Sequence, residues 1–192
     1  MKRITLLFGI LCFCNLGNAQ QKNEKEERIR ENVFPKIALQ LLRDHIKNPK
    51  NLKYYRETDS LKMSYEAKFK LKERRYSVEF SKTGDLEDVE VLISKEEVPV
   101  NTMEKIQAYL KKNTRKYHIE RIQKQYVNTS DINSADVLES ALNDHSFEFI
   151  NYEMVIWISK KDTSGRAEFT FDHQGDFVSE RSFVSSYDHV RY

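Results

Sequence analysis

The residues of this chain that could do chemistry are plentiful, but few stand at a spacing that chemistry requires. Five histidines, His45, His118, His145, His173 and His189, form no pair at metal-ligand spacing, and a zinc site needs several nitrogen or sulfur donors that converge. Both cysteines, Cys12 and Cys14, fall within an apolar N-terminal run, so neither joins a histidine in such a cluster. The five glycines form neither a Gly-x-Ser-x-Gly elbow nor a phosphate-cradling loop nor a dinucleotide fingerprint. Asp172-His173-Gln174-Gly175-Asp176 places two carboxylates around a tight bend but lacks the alternating ligands and distal Glu of a calcium loop. A hairpin turn is the simpler reading, because Ser81-Lys82-Thr83-Gly84-Asp85 stands at the corresponding place earlier in the chain. The expectation is a protein that is not an enzyme and holds no cofactor and no metal.

Carboxylates remain. Glu79 and Glu168 occupy related strand positions and alternate away from the apolar residues, which predicts a solvated strand face. Asn128-Thr129-Ser130 matches a glycosylation sequon and reads as a polar loop. The contrast with functional content lies elsewhere. Where one strand carries Lys68 and Lys70 between its apolar residues, its counterpart later in the chain carries Val155 and Trp157. That later strand is apolar on both faces, so something must cover it. Either the segment 127–146 or the tail 185–192 folds over it, or the Trp is an exposed anchor for a partner, the role in which Trp is most enriched. Val155, Trp157, Lys68 and Lys70 are therefore the candidate partner-binding residues.

The elements that position them come from a loose internal repeat. Ser64 to Ile93 recurs as Asn151 to Val184: aligning Tyr65 with Tyr152 and Gly84 with Gly175 pairs Phe80 with Phe171 and Leu86 with Phe177. In the first copy Tyr65, Ala67, Phe69 and Leu71 alternate with charged residues, as do Tyr76, Val78 and Phe80, and a Gly-Asp turn leads to Val89, Val91 and Ile93. Three such runs predict an antiparallel meander. Upstream, Phe34, Ile37, Ala38, Leu41, Leu42 and His45 fall on one helical stripe, with Asn32 as a cap and Leu52–Glu57 as a short strand after it. In the second copy Thr102, Ile106, Tyr109 and Leu110 form a helix face with Asn101 as cap, and Val137, Leu138, Ala141 and Leu142 predict an extra short helix within 127–146.

The address reads from the N-terminus. Lys2 and Arg3, an apolar run from Ile4 to Cys14 and Gly17-Asn18-Ala19 form a secretory signal over 1–19. No later stretch reaches the roughly 20 apolar residues of a spanning helix. Of 32 basic residues the signal holds two, so the rest of the chain balances 30 against 30 acidic ones, which gives no electrostatic case for nucleic acid. Residues 20–31 are so polar that they are expected to form a disordered lead.

The helix entries Phe34-Pro35 and Val98-Pro99, each followed by a strand-rich meander with a Gly-Asp turn behind a signal, resemble the PepSY-like family of secreted bacterial proteins, related in fold to the beta-lactamase inhibitor protein. The resemblance implies an α+β fold in which two tandem repeats, 32–97 and 98–184, form one curved antiparallel sheet with the helices on one face. It also implies a secreted or periplasmic module that binds another envelope or extracellular protein, inhibitor-like or chaperone-like. The alternative is a small-ligand carrier or sensor with a pocket between the sheet and the segment 127–146.

Overall fold

The computed structural model describes residues 20–22, 24–59, 62–145, 149–161 and 163–183. The expected signal and the tail 185–192 lie outside the described residues. β1 (Gln20–Lys22) is followed after one residue by β2 (Glu24–Ile29), then by helix α1 (Lys36–His45) and strands β3 (Lys50–Asp59), β4 (Lys62–Leu71), β5 (Arg74–Ser81) and β6 (Leu86–Ile93). Helix α2 (Val100–Asn113), β7 (Lys116–Val127), helix α3 (Ser134–Asn143), β8 (Ile150–Ser159), β9 (Ser164–Asp172) and β10 (Phe177–Phe183) follow in the described residues. Strands β2 to β10 form a nine-stranded antiparallel sheet in sequence order, and β1 adds to β10 in parallel. The class is α+β, as expected.

One face of the sheet and the helices share the core. Register puts Ala67 opposite Val78, Val78 opposite Val89 and Val89 opposite Tyr126, and all four are buried completely. Phe80, Phe169, Phe171, Met154 and Ile156 extend the same layer. Each large apolar side chain removed from water in this way contributes roughly 1.5 to 3 kcal/mol. The three helices cover this face: α1 contributes Ala38, Leu39 and Leu42, α2 contributes Thr102, Met103, Ile106 and Leu110, and α3 contributes Val137, Leu138, Ala141 and Leu142.

Two hairpin turns seat the first two helices. Gly84 and Gly175 both adopt positive φ, +94° and +86°, which a side chain would strain. A Cβ on Gly84 would meet Pro35 Cβ at 2.8 Å, and one on Gly175 would meet the Thr102 carbonyl at 2.7 Å. The Asp172–Asp176 segment is a hairpin turn, its Asp172 carboxylate accepting from the amides of Gln174 and Asp176 at 2.9 and 2.8 Å.

Several sequence expectations are corrected. The helices begin after Pro35 and Pro99 rather than at Asn32 and Asn101, because proline has the fixed φ and missing N–H that suit a helix start. The stripe of α1 is rotated: Leu39 is buried, whereas Ile37 is 67% exposed. The stretch expected to be a disordered lead instead pairs at the sheet's edges over 20–22 and 24–29. Its part 24–29 is mostly exposed, and backbone pairing together with ion pairs from Glu26 to Lys68 (2.6 Å) and from Glu27 to Arg56 (2.5 Å) helps to hold it.

Candidate functional site: the charged interior of the sheet

Because side chains on a strand alternate, the residues between the core positions all project to the other face. The sheet curls far enough that this face lines a partly open cavity of about 590 Å3, with walls from β2 through β10. Two contacts mark the curl. Arg181 on β10 pairs with Asp59 on β3, near the opposite end of the sheet, and β1 lies along β10 while β2 lies along β3. Ten carboxylates line the cavity: Glu24, Glu26, Glu57, Asp59, Glu66, Glu79, Asp88, Glu90, Glu153 and Glu168. Four cationic side chains, Lys62, Lys68, Arg121 and Arg181, accompany them.

The local networks are tight. Lys68 Nζ lies 2.6 Å from Glu26, 2.7 Å from Glu66 and 4.0 Å from Glu57. Ser77 donates to Glu66, and Gln123 to Glu90. Gln125 donates to Asp88 Oδ2 at 3.2 Å, while the solvent-inaccessible Asp88 Oδ1 accepts no hydrogen bond among the described residues. Burial, reinforced by a hydrogen bond and charge from Glu66, pushes Glu57 up to about 11. Burial, with Glu66 adding repulsion, pushes Glu79 up to about 7. Asp88 and Glu90 stand well above the usual carboxylate range, first through burial and then through repulsion by Glu79 and Asp88 respectively. For Lys68 burial opposes the charge, yet Glu66 and Glu26 outweigh it and hold the ammonium above its ordinary value.

Among the described residues, Glu26, Glu57 and Glu66 form the one acidic group whose ligand atoms are close enough to share an ion, within 4.8 Å of one another. The Lys68 ammonium already contacts all three. The arrangement is that of an internal ion cluster.

The candidate residues separate in the structure. Lys68 is part of the cavity, while Lys70 pairs with Glu73 at the end of its hairpin. Val155 is 8% exposed and sits on the inner face between Arg121 and Glu168, outside the helix-covered core. Trp157, 37% exposed, lies further along β8 between His118 and Arg166. β8 and β4 are four places apart in the sheet, roughly 19 Å at normal strand spacing. The segment 127–146 does not cover Val155 and Trp157, because its helix α3 packs on the opposite face against β6 and β7. Among the described residues that segment and the Trp157 face lie on opposite sides of the sheet.

The sequence reading missed the carboxylates. Glu79 and Glu168 were expected to be solvated, yet Glu168 is 3% exposed and Glu79 lines the cavity. The signal was there in Glu66, Glu79, Glu90, Glu153 and Glu168, acidic residues at wet-face positions of β4, β5, β6, β8 and β9. Register sets Glu66 beside Glu79 and Glu79 beside Asp88, and the curl of the sheet, which alternation does not encode, gathers the rest.

The fold so defined is BLIP-like. It is shared with a BLIP-like protein from Bacteroides fragilis at 12% identity, covering 83% of this chain and 92% of that one with a TM-score of 0.50. A DUF2874-family protein from Bacteroides ovatus matches at 11% identity, 81% and 92% coverage and a TM-score of 0.52. A protein from Bacteroides eggerthii, provisionally assigned to the periplasm, matches at 10% identity, 81% and 93% coverage and a TM-score of 0.53. No family model and no curated protein matches the sequence. Among the described residues no helix is long and apolar enough to cross a membrane.

Proposed function

We propose that the chain is a periplasmic, non-catalytic binding module that engages another envelope protein through the inner face of its sheet. The observation that carries this is the gathering of ten carboxylates against four cationic side chains in one cavity. Buried carboxylates must either take up protons or repel one another, and both oppose folding at neutral pH, so an excess of this size is a cost that recognition of a partner explains. The partially exposed Trp157 beyond the cavity supplies the apolar anchor that an interface needs. The signal-like N-terminus and the provisionally periplasmic relative of the same fold support the location. The reading includes two tandem repeats of PepSY-like type, supported by the matching seats of Gly84 against the start of α1 and Gly175 against the first turn of α2.

The test is capture from the envelope fraction of the source cell, comparing wild type with Glu79→Gln/Glu90→Gln and with Trp157→Ala. Both variants are expected to remain folded and to lose partner, and the first to melt higher than wild type at neutral pH. Undiminished capture by both would remove the inner face as the binding surface. The enclosed volume favours a second reading, a small cationic ligand held in the cavity. It predicts that low-molecular-mass amines raise the melting temperature with no protein captured.

A further inference from the structure

Resting on the inner-face reading, we propose that β2 (Glu24–Ile29) is a displaceable latch. The partner enters by laying an extended segment along β3 in place of β2, with basic side chains at alternate positions reaching the cavity.

The latch is weakly held. β2 covers Glu24 to Ile29 against six residues of β3, Tyr54 to Asp59, and leaves Lys50 to Lys53 uncovered by it. Glu24 to Glu27, Lys25 included, are exposed, and half-buried Ile29 is the apolar residue of the strand that packs on the core. The ion pairs from Glu26 and Glu27 have both members more than a third exposed, and such pairs contribute at most about 1 kcal/mol each. Backbone pairing adds to these holds, and any incoming strand reproduces it.

The latch is also mismatched in charge to what it covers. Its inward residues Glu24 and Glu26 add two carboxylates to a cavity that already has too many. Glu26, Glu57 and Glu66 crowd within 4.8 Å, and a single ammonium, that of Lys68, contacts all three. Glu24 adds to the repulsion that raises Glu57 and Glu79. A segment with Lys or Arg at the two inward positions would form the same backbone bonds, bring Glu66 a second counter-charge and ease the release of the proton that burial and Glu66 hold on Glu57. A metal ion is a poorer occupant, because Lys68 Nζ stands where it would bind. Charge complementarity therefore selects a basic extended strand.

The experiment locks the latch. Glu27 and Arg56 are directly opposed in register, so Glu27→Cys/Arg56→Cys in the full chain can form a disulfide between β2 and β3. The probes are a ten-residue peptide alternating lysine and threonine and its glutamate-threonine counterpart. The lysine peptide is expected to bind the reduced protein and to lose about 30-fold or more in affinity on oxidation. The glutamate peptide is expected not to bind in either state. Glu24→Lys/Glu26→Lys, which matches the latch to the cavity, should weaken the lysine peptide by about 10-fold or more. Equal binding to locked and reduced protein, or equal binding of the two peptides, overturns the proposal. If the locked protein still captures its envelope partner in a manner that depends on Glu79 and Glu90, the latch fails and the inner-face reading stands. If capture ignores those carboxylates, the reading fails with it.

Discussion

Along β5 the residues Tyr76, Val78 and Phe80 face the helices, while Ser77 and Glu79 between them face the cavity. The same division runs through β6, where Val89 and Val91 alternate with Asp88 and Glu90. One backbone thus presents two surfaces with opposite energetics. On the outer face burial removes apolar area from water and stabilises the fold. On the inner face comparable enclosure holds carboxylates against one another, and their pKa values rise because the charged form is the disfavoured one. The difference shows where stability is made and where it is given up for another purpose.

The comparison breaks if the outer face is not the source of stability. Phe80 and Phe171 are completely buried, and each precedes a hairpin turn that holds a positive-φ glycine, Gly84 or Gly175. Phe80→Ala or Phe171→Ala should each destabilise by about 3 to 5 kcal/mol in denaturant titration, as large-to-small core substitutions do. Wild-type midpoints for both would mean that the core lies elsewhere.

The inner face is sharpened by pH. Glu79 titrates near 7 in the folded protein, against an ordinary value of 4.5. The folded state therefore binds this proton more tightly than the unfolded chain, so stability is fully present below about pH 4.5 and is lost as pH rises through about 7. We expect a fall of about 2 to 3 kcal/mol between pH 5 and pH 8 from this group, and Glu79→Gln should flatten that slope. A stability that rose over this interval in wild type would contradict the enclosed-carboxylate picture.

The two faces were unequally legible in the sequence. Alternation placed Phe69, Val78, Phe80, Ile156, Phe169 and Phe171 in the core correctly, because period 2 is a local property. The helix entry points were misplaced because Asn32 and Asn101 suggested caps, while Pro35 and Pro99 set the starts. The run 20–29 was misread because edge pairing supplies backbone bonds that composition does not reveal. The cavity was invisible because enclosure depends on the curl of nine strands together, and a wet-face glutamate in an open sheet has the same sequence as one in a closed interior.

Trp157 tests whether the inner face continues as a binding surface beyond the charged cavity. It is 37% exposed while its neighbours Ile156 and Ile158 are core residues. Trp157→Ala should lower stability by under about 1 kcal/mol, as expected for a partly exposed site. Partner capture should weaken by about 2 kcal/mol or more, the scale of an interface anchor. Native tryptophan emission should be red-shifted, as for an indole in water. A strongly blue-shifted emission with a large stability loss would assign Trp157 to packing.

The smallest expected effect comes from Lys70, and its value lies in the contrast with Lys68 two residues earlier. Both point to the inner face of β4, and the sequence offers no reason to separate them. In the structure Lys70 pairs with Glu73, which is itself 74% exposed, across a hairpin turn. Lys68 instead supplies the one ammonium shared by Glu26, Glu57 and Glu66, two of which are buried. Lys70→Ala should change stability by at most about 0.5 kcal/mol at any pH, since an exposed ion pair in water contributes little. Lys68→Ala should cost more, and increasingly so as pH rises, because the carboxylates it neutralises are left to repel one another as they ionise. Paired melts at pH 5 and pH 8 decide the matter. Equal, small effects at both positions would mean that the inner face is open to solvent along its whole length.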